Sequence, residues 1–136
     1  MLAEIVAKGG CLALGIGPAP DGTISEKVMD IMRPVGEWLR VNGEAIYGTR
    51  ATKNYHSGEN IWFTASKDGK TCYAIYALGE KEELPATIEW TGNIPDGRIV
   101  LLSTGKTLKY KVEGDKVKVT LPKGMARDSF ALKFSF

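Results

Sequence analysis

The residues that metal centres and acid–base sites most often use are scarce in this sequence. Its 136 residues include one histidine and two cysteines. Cys11 and Cys72 fall in segments that we predict as buried strands, without CxxC spacing or partnering histidines, so free and inert thiols are favoured over a zinc site or a disulfide. His56, in the polar stretch 54–60, is predicted to be an exposed loop residue rather than a catalytic base. No metal or cofactor site is expected.

Long apolar runs and an excess of one charge are also missing. No stretch approaches the ~20 apolar residues that span a bilayer, and the chain does not begin with a charged region followed by a cleavable apolar segment. The 18 Lys and Arg and the 16 Asp and Glu are interspersed and leave a formal charge of +2. Neither a membrane span nor a nucleic-acid partner is therefore expected. The compartment is left open, because any export signal would lie upstream; a periplasmic or secreted parent protein is compatible with the sequence.

The composition that remains is that of an ordinary folded domain, with 43% hydrophobic and 25% charged residues. Near residue 50 the sequence pattern changes: predicted helices and a buried strand precede it, and short segments with alternating apolar and polar residues, separated by turns, follow it. We therefore predict a boundary that divides the chain into residues 1–50 and 51–136.

The first part begins with a short helix and an apolar strand. Leu2, Ile5 and Val6 share one helical face, and Gly9-Gly10 offers a left-handed cap after it. The continuously apolar run from Cys11 to Ile16 is typical of a parallel strand covered on both faces. A helix this short is not stable alone, and a buried parallel strand needs neighbouring strands that this chain does not supply. We therefore predict that Met1 is an interior cut point of a longer protein.

A second, longer helix is predicted between Ser25, as its N-cap, and Asn42-Gly43 at its end. Its apolar positions recur at helical spacing, and they are Val28, Ile31, Met32, Val35, Trp38 and Leu39. Pro34 falls inside this helix, where it removes one backbone hydrogen bond and should kink or weaken the middle turn.

The second part is predicted to be an antiparallel β-sandwich. Turns at Asp68-Gly69, Gly105-Lys106 and Gly114-Asp115 separate short strands with alternating side chains. The predicted strands are Ile61 to Ala65, Thr71 to Leu78, Ala86 to Trp90, Ile99 to Ser103, Leu108 to Glu113, Lys116 to Leu121 and Phe130 to Phe136. Val117, Val119 and Leu121 share one buried face, and Phe130, Leu132, Phe134 and Phe136 share another.

Motifs for nucleotide binding and for catalysis are weak. The glycine-rich turn that starts at Gly15 has GxGxxxxG rather than GxGxxG spacing, and Gly105-Lys106-Thr107 lies between strands as a hairpin turn. The acids of the helical part after Glu4 show no pair of the kind that glycoside hydrolysis needs; they are Asp21, Glu26, Asp30, Glu37 and Glu44.

The aromatic side chains leave two alternatives open. Trp62, Trp90, Tyr73 and Tyr76 would suit a flat platform for a sugar ring, as in a carbohydrate-binding module. Their positions within strands favour core and sheet-face packing instead, because large aromatics dominate sandwich interiors. Burial of Trp62 and Trp90 between the sheets would count against the platform.

Two stretches of the first part resemble family 29 α-L-fucosidases. The residues from Lys8 to Pro18, KGGCLALGIGP, with Asp21 to Ile24, DGTI, resemble the family's SKGGNLLLNIGPxxDGTI. The residues Gly36 to Leu39, GEWL, and Val41 to Thr49, VNGEAIYGT, are similar to its GEWLxVNGEAIYGT. Both stretches have the family's order and separation, whereas residues 51–136 resemble it in pattern only.

The resemblance implies a retaining exo-glycosidase that removes terminal α-L-fucose with an Asp nucleophile and a Glu acid/base on a (β/α)8-like barrel. Both residues precede the matched stretches in the family, so no catalytic residue is expected in this chain. The strand from Cys11 to Ile16 would be the last of the barrel, which places Gly17, Pro18 and Asp21 on the rim of the active-site face as candidate substrate-binding residues. The family's Asn at the end of that strand is Gly15 here.

The expected protein is therefore mainly β: an antiparallel sandwich in residues 51–136, preceded in residues 1–50 by a terminal βα piece of a barrel. Its expected role is structural, within a parent that hydrolyses fucosylated glycans, with the missing barrel as its partner. A non-catalytic carbohydrate-binding or interaction module is the alternative. Apolar surface left bare in residues 1–16 also predicts self-association.

Overall fold

The computed structural model describes all 136 residues, which form two helices, one 3₁₀ turn and nine strands. The helices are α1 (Leu2–Ala7) and α2 (Glu26–Asn42), and the 3₁₀ turn is Gly43–Ala45. The strands are β1 (Thr49–Ser57), β2 (Ile61–Ser66), β3 (Thr71–Tyr76), β4 (Thr87–Thr91), β5 (Ile99–Leu101), β6 (Thr107–Leu108), β7 (Tyr110–Glu113), β8 (Lys116–Thr120) and β9 (Phe130–Ser135).

The strands form two antiparallel sheets. The larger has six strands in the order β1-β2-β3-β9-β5-β6, and the smaller has three in the order β4-β8-β7. Every paired neighbour runs antiparallel. The prediction of a mainly β chain with an antiparallel sandwich is confirmed.

The main core fills the space between the two sheets. Trp90 of β4 is 1% exposed, and its ring lies 5.9 Å from Phe63 and 5.7 Å from Phe134 across the sandwich. Val117, Val119 and Leu121 are buried together, as their alternation predicts. The predicted apolar face of the last strand is buried as well, except that Phe136 lies beyond the end of β9 and is 45% exposed.

The predicted strand from Leu108 to Glu113 is in fact two strands that belong to different sheets. β6 pairs with β5 in the larger sheet, and β7 pairs with β8 in the smaller one. The chain crosses between the sheets at Lys109, whose carbonyl accepts a hydrogen bond from the Thr120 N–H. The uninterrupted apolar–polar alternation hides this crossing, because it suits both sheets equally.

β1 was not predicted, and it corrects the assignment of His56 to a loop. His56 lies in β1, opposite Trp62 of β2, and it is exposed as expected. The polar side chains of residues 49–57 conceal this strand, because it lies at the edge of the larger sheet with only one neighbour.

The predicted strand from Cys11 to Ile16 is wrong for this chain. Residues 11–18 form no helix or strand, and most of them are exposed, including Cys11. Cys72, by contrast, is buried, and both thiols are free. An apolar strand needs a hydrogen-bonded neighbour on at least one side, and no other segment of the chain supplies one to this run.

Both predicted helices are present. α1 ends as expected in a left-handed residue, Gly9, with φ 81°. The Gly9 N–H bonds the Val6 carbonyl and the Gly10 N–H bonds the Ile5 carbonyl, which together form a Schellman cap. α2 follows Ser25 and contains Pro34, but the Ser25 side chain makes no capping hydrogen bond. Neither helix has the length and apolarity that crossing a membrane requires.

We expect Leu132→Ala to destabilise the chain by about 2–5 kcal/mol, because Leu132 is fully buried in the central strand β9 and its truncation leaves a cavity. Val112→Ala, at an exposed position of β7, is the control and should change the free energy of unfolding by less than about 0.5 kcal/mol. Urea unfolding followed by circular dichroism measures both. Equal effects of the two variants would contradict this placement of the core.

Candidate functional site

The outer face of the larger sheet is covered by the helical segment, and this junction is the best-defined site of the chain. α1, the end of α2 and the 3₁₀ turn pack there on β2, β3 and β9. The buried residues of the junction are Ala3, Ala45, Tyr73, Ile75 and Ala131, and Trp38, Ile46, Trp62 and Leu102 pack against them. This second apolar cluster is separate from the core between the sheets.

Asn42, the last residue of α2, ties the helix to β9. Its side chain is 4% exposed in the chain, where its Oδ1 accepts a hydrogen bond from the Ala131 N–H at 3.0 Å. Its Nδ2 donates to the Trp38 carbonyl at 3.3 Å, near the end of α2. The Ala131 carbonyl accepts a hydrogen bond from the Leu102 N–H, just beyond the end of β5. In a continued antiparallel ladder the Ala131 N–H would donate to the Leu102 carbonyl, but here it donates to the Asn42 side chain instead.

Two further hydrogen bonds join the segments beside Asn42. The indole Nε1 of Trp38 donates to the Ser129 carbonyl at 2.7 Å, and the buried hydroxyl of Thr64 donates to the Ala45 carbonyl at 2.7 Å. The second satisfies a fully buried hydroxyl, and the first satisfies an indole N–H that is partly buried. A Cβ at Gly43 would lie 2.8 Å from the ring of Tyr47, so this exposed ring would have to shift if Gly43 were replaced.

Glu44 adds an ionic contact at the rim of the junction. Its Oε1 accepts hydrogen bonds from the Tyr73 hydroxyl at 2.9 Å and from the Lys133 ammonium at 2.5 Å. The bond from Lys133, with a smaller contribution from Tyr73, holds the pKa of Glu44 below its usual value although partial burial opposes this. Burial, and secondarily the bond to Glu44, raises the pKa of Tyr73.

The candidate substrate-binding residues Gly17, Pro18 and Asp21 lie on an exposed loop. The Asp21 carboxylate accepts hydrogen bonds from the Thr23 N–H at 3.0 Å and from the Thr23 hydroxyl at 2.7 Å. These bonds lower the pKa of Asp21. Asp21 therefore stabilises the turn by bonding a residue of the same loop. Substrate binding by this loop stays a prediction.

The aromatic residues do not form the flat platform that a sugar-binding module would need. Trp90 lies between the sheets and Trp62 lies on the outer face of the larger sheet, so of the two indoles only Trp90 is buried between the sheets. Trp62 is half-buried there, with the Lys8 ammonium 5.5 Å from its ring centre and the His56 ring at 5.7 Å. The two indoles thus lie in different layers of the fold.

Two acids of α2 are engaged in surface ion pairs. Glu26 and Asp30 both pair with Arg33, at 3.2 Å and 3.0 Å, on the exposed side of α2. No three His, Cys, Asp or Glu side chains converge as metal ligands.

A large apolar groove remains open beside the junction. It has a volume of about 810 Å³ and is lined by α1, residues 9–14, α2 and the start of β1. Several of its apolar lining side chains are bare, among them Leu14, which is 46% exposed, and Val35, which is 37% exposed. In α2 only Asn42 is buried, so the apolar stripe of this helix lacks most of the cover that its pattern predicts.

Comparison with known proteins agrees with this architecture. A family model described as alpha-L-fucosidase matches residues 1–44. A plasma alpha-L-fucosidase of Pongo abelii is 43% identical, in a match that covers 89% of this chain and 27% of that protein. An alpha-L-fucosidase of Branchiostoma floridae is 33% identical, over 90% of this chain and 27% of its own length. The crystal structure of Thermotoga maritima alpha-fucosidase with a mechanism-based inhibitor matches 98% of this chain and 32% of its own, at 29% identity and a TM-score of 0.81.

In sequence and in fold, this chain is similar to a part of α-L-fucosidases. It spans about a quarter of the length of the curated fucosidases that it matches. The match to solved fucosidases extends over nearly the whole chain, so it includes the sandwich as well as the helical segment.

Sequence reasoning did not single out the residues of the junction, although Trp38, Asn42 and Glu44 all lie in the stretch that carries the resemblance. The available signal was that stretch itself: a run of specific polar and small residues, VNGEA, where a helix ends. Tyr73 on β3 lies 29 residues after Glu44, and Ala131 on β9 lies 89 residues after Asn42. No local pattern in the sequence indicates such distant pairs.

We expect Asn42→Ala to lower the free energy of unfolding by about 1–3 kcal/mol, because it leaves the buried Ala131 N–H without an acceptor. Asn60→Ala is the matched control, since it removes an exposed amide that donates to Glu82 at 2.9 Å; its effect should stay within about 0.5 kcal/mol. Urea unfolding followed by tryptophan fluorescence compares the two. A loss for Asn42→Ala no larger than for the control would argue against the Asn42 anchor.

The ionic contact at Glu44 predicts a pH dependence. Since the folded-state pKa of Glu44 lies below its usual value of 4.5, its contribution to stability is present above about pH 4.5 and is lost as the pH falls through the folded pKa. Wild type should therefore exceed Glu44→Gln in stability at neutral pH, and the difference should shrink on acidification. Denaturant unfolding across this range measures it, with Glu59→Gln, at an exposed turn, as the control. A difference that grows toward acid pH would refute the sign.

Proposed function

We propose that this chain is the supporting, non-catalytic part of a retaining α-L-fucosidase that hydrolyses terminal α-L-fucosides of glycans. The observation that carries the proposal is the extent of the match: fucosidases are similar to almost the whole chain, yet the chain spans about a quarter of their length. On this proposal the nucleophile and the acid/base belong to the part of the enzyme that this chain lacks.

The open groove beside α2 supports a packing role. Its apolar lining and the bare side chains of the helical segment suit burial under the rest of a barrel, of which residues 1–50 would be the last helix–strand–helix portion. Residues 51–136 would then form the C-terminal sandwich domain, and the start of β1 at Thr49 supports a boundary there. The hydrogen bonds of Asn42 and Glu44 to the larger sheet would then hold the sandwich in a fixed position against the barrel.

The loop that contains Gly17, Pro18 and Asp21 would lie at the rim of the active site in the complete enzyme. The bonds from Thr23 to the Asp21 carboxylate favour a role for Asp21 in holding the shape of this loop. Contact with the sugar would then be made by the loop backbone around Gly17 and Pro18.

We expect the purified 136-residue chain to hydrolyse an aryl α-L-fucoside no faster than buffer does, because it supplies no pair of carboxyl groups for the reaction. Release of the aryl alcohol, followed by absorbance, measures the rate. Asp21→Asn and Glu44→Gln serve as controls for trace activity. Turnover by the chain that either substitution abolishes would overturn the proposal.

The coding DNA upstream of the Met1 codon provides a second test. An open reading frame that continues upstream into a barrel with an Asp nucleophile would support the proposed parent enzyme. A stop codon directly before a genuine start at Met1 would refute it and favour a binding or scaffolding role for the chain.

A further inference from the structure

The outer face of the smaller sheet lies on the opposite side of the sandwich from the helical segment. Side chains alternate along β8, so Val117 and Val119 are buried between the sheets, whereas Lys116 and Lys118 are exposed on the outer face. The helical segment packs on the other sheet, and a parent protein that surrounds this segment would leave the outer face of the smaller sheet open to solvent.

The fold gathers lysines on this face, although charges are interspersed along the sequence. Lys111 of β7 lies directly opposite Lys118 of β8, which places their Cβ atoms about 5 Å apart. Lys109, two residues before Lys111, is exposed beside them. An open concavity of about 620 Å³ is lined by these three lysines together with Leu108, Tyr110 and Thr120. No carboxylate belongs to this lining.

The chain only partly balances the positive charge of this concavity. Lys118 binds Glu89 of β4 at 2.6 Å, whereas Lys109 and Lys111 form no ion pair. Like charges directly opposite each other in a ladder repel and destabilise the pair of strands. Because an anion between the lysines would remove this repulsion, the concavity has the chemistry of an anion-binding site.

The remaining side chains of the face distinguish between kinds of anionic ligand. Its exposed strand positions carry Lys, Thr and Glu, without arginine or an exposed aromatic ring on which a nucleobase would stack. The ring of Tyr110 packs against the core, and its hydroxyl donates to the Gly97 carbonyl. A sugar chain needs no such ring, because ammonium groups bind its anionic substituents and the exposed Thr120 hydroxyl is suited to bond its hydroxyls.

We propose that Lys109, Lys111 and Lys118 form a binding site for an acidic glycan, a sugar chain that carries sulfate or carboxylate groups. The lysines are distributed along one strand and across to the next, so they contact several anionic groups of one chain. This inference goes beyond the proposed function, because the site uses no residue of the junction or of the loop around Gly17 and Pro18. Its failure leaves the proposed function untouched.

Fluorescence anisotropy of a labelled heparin oligosaccharide, titrated with the 136-residue chain at low ionic strength, tests the proposal. We expect saturable binding that weakens as salt is added, because salt screens contacts between exposed charges. Lys109→Gln/Lys111→Gln removes two charges without breaking an ion pair and should weaken binding by about tenfold. Lys67→Gln/Lys70→Gln, at the exposed turn between β2 and β3, removes the same charge and is the matched control, which should bind as wild type does.

Both double variants should keep the circular dichroism spectrum of wild type, because all four lysines are exposed. A single-stranded thymidine oligonucleotide of the same charge and vesicles that contain phosphatidylserine should bind more weakly than heparin does. Equal weakening in the two double variants would indicate a response to net charge alone and would overturn the site. Absence of heparin binding at low salt, or tighter binding of the oligonucleotide or the vesicles, would overturn the assignment to an acidic glycan.

Discussion

The position of the helical segment on the larger sheet depends on how one backbone amide of a central strand is satisfied. β9 lies between β3 and β5, but β5 ends at Leu101, so the Ala131 N–H faces the place where a longer β5 would have supplied its acceptor. The Asn42 side chain fills that place. Because a buried, unpaired amide is costly, the end of α2 and the middle of the larger sheet are positioned together. The indole of Trp38 bonds Ser129 just before β9, and the carboxylate of Glu44 accepts hydrogen bonds from Tyr73 of β3 and Lys133 of β9.

Local patterns predicted most of the sandwich correctly. The alternation of Val117, Val119 and Leu121 identified a buried face, and the turn at Gly114-Asp115 identified the β7–β8 hairpin. Such features depend on neighbours in sequence, and the physical rules for them are local. The apolar spacing of α2 and its end at Asn42 were predicted for the same reason.

What could not be predicted depends on partners that are distant in sequence or absent. β1 has polar side chains because it is an edge strand, so its alternation is weak, and the crossing at Lys109 leaves no trace in a pattern that fits either sheet. The run from Cys11 to Ile16 has the composition of a buried strand, yet it forms none, because composition records a preference and only a neighbour provides the hydrogen bonds. Asn42 and Glu44 became recognisable as site residues only when the fold brought them to β9 and β3.

The place of β9 in the larger sheet has a consequence for the order in which the chain folds. β9 follows every other strand in sequence but lies between β3 and β5 in space. While the protein is being synthesised, β1, β2 and β3 can form a meander, but β5 and β6 have no place beside it until residues 130–135 have left the ribosome. Closure of the sandwich is therefore a late event that joins distant parts of the chain, a topology associated with slow folding. Until then the meander has an open edge and an uncovered apolar face, which are features that favour aggregation of incomplete chains.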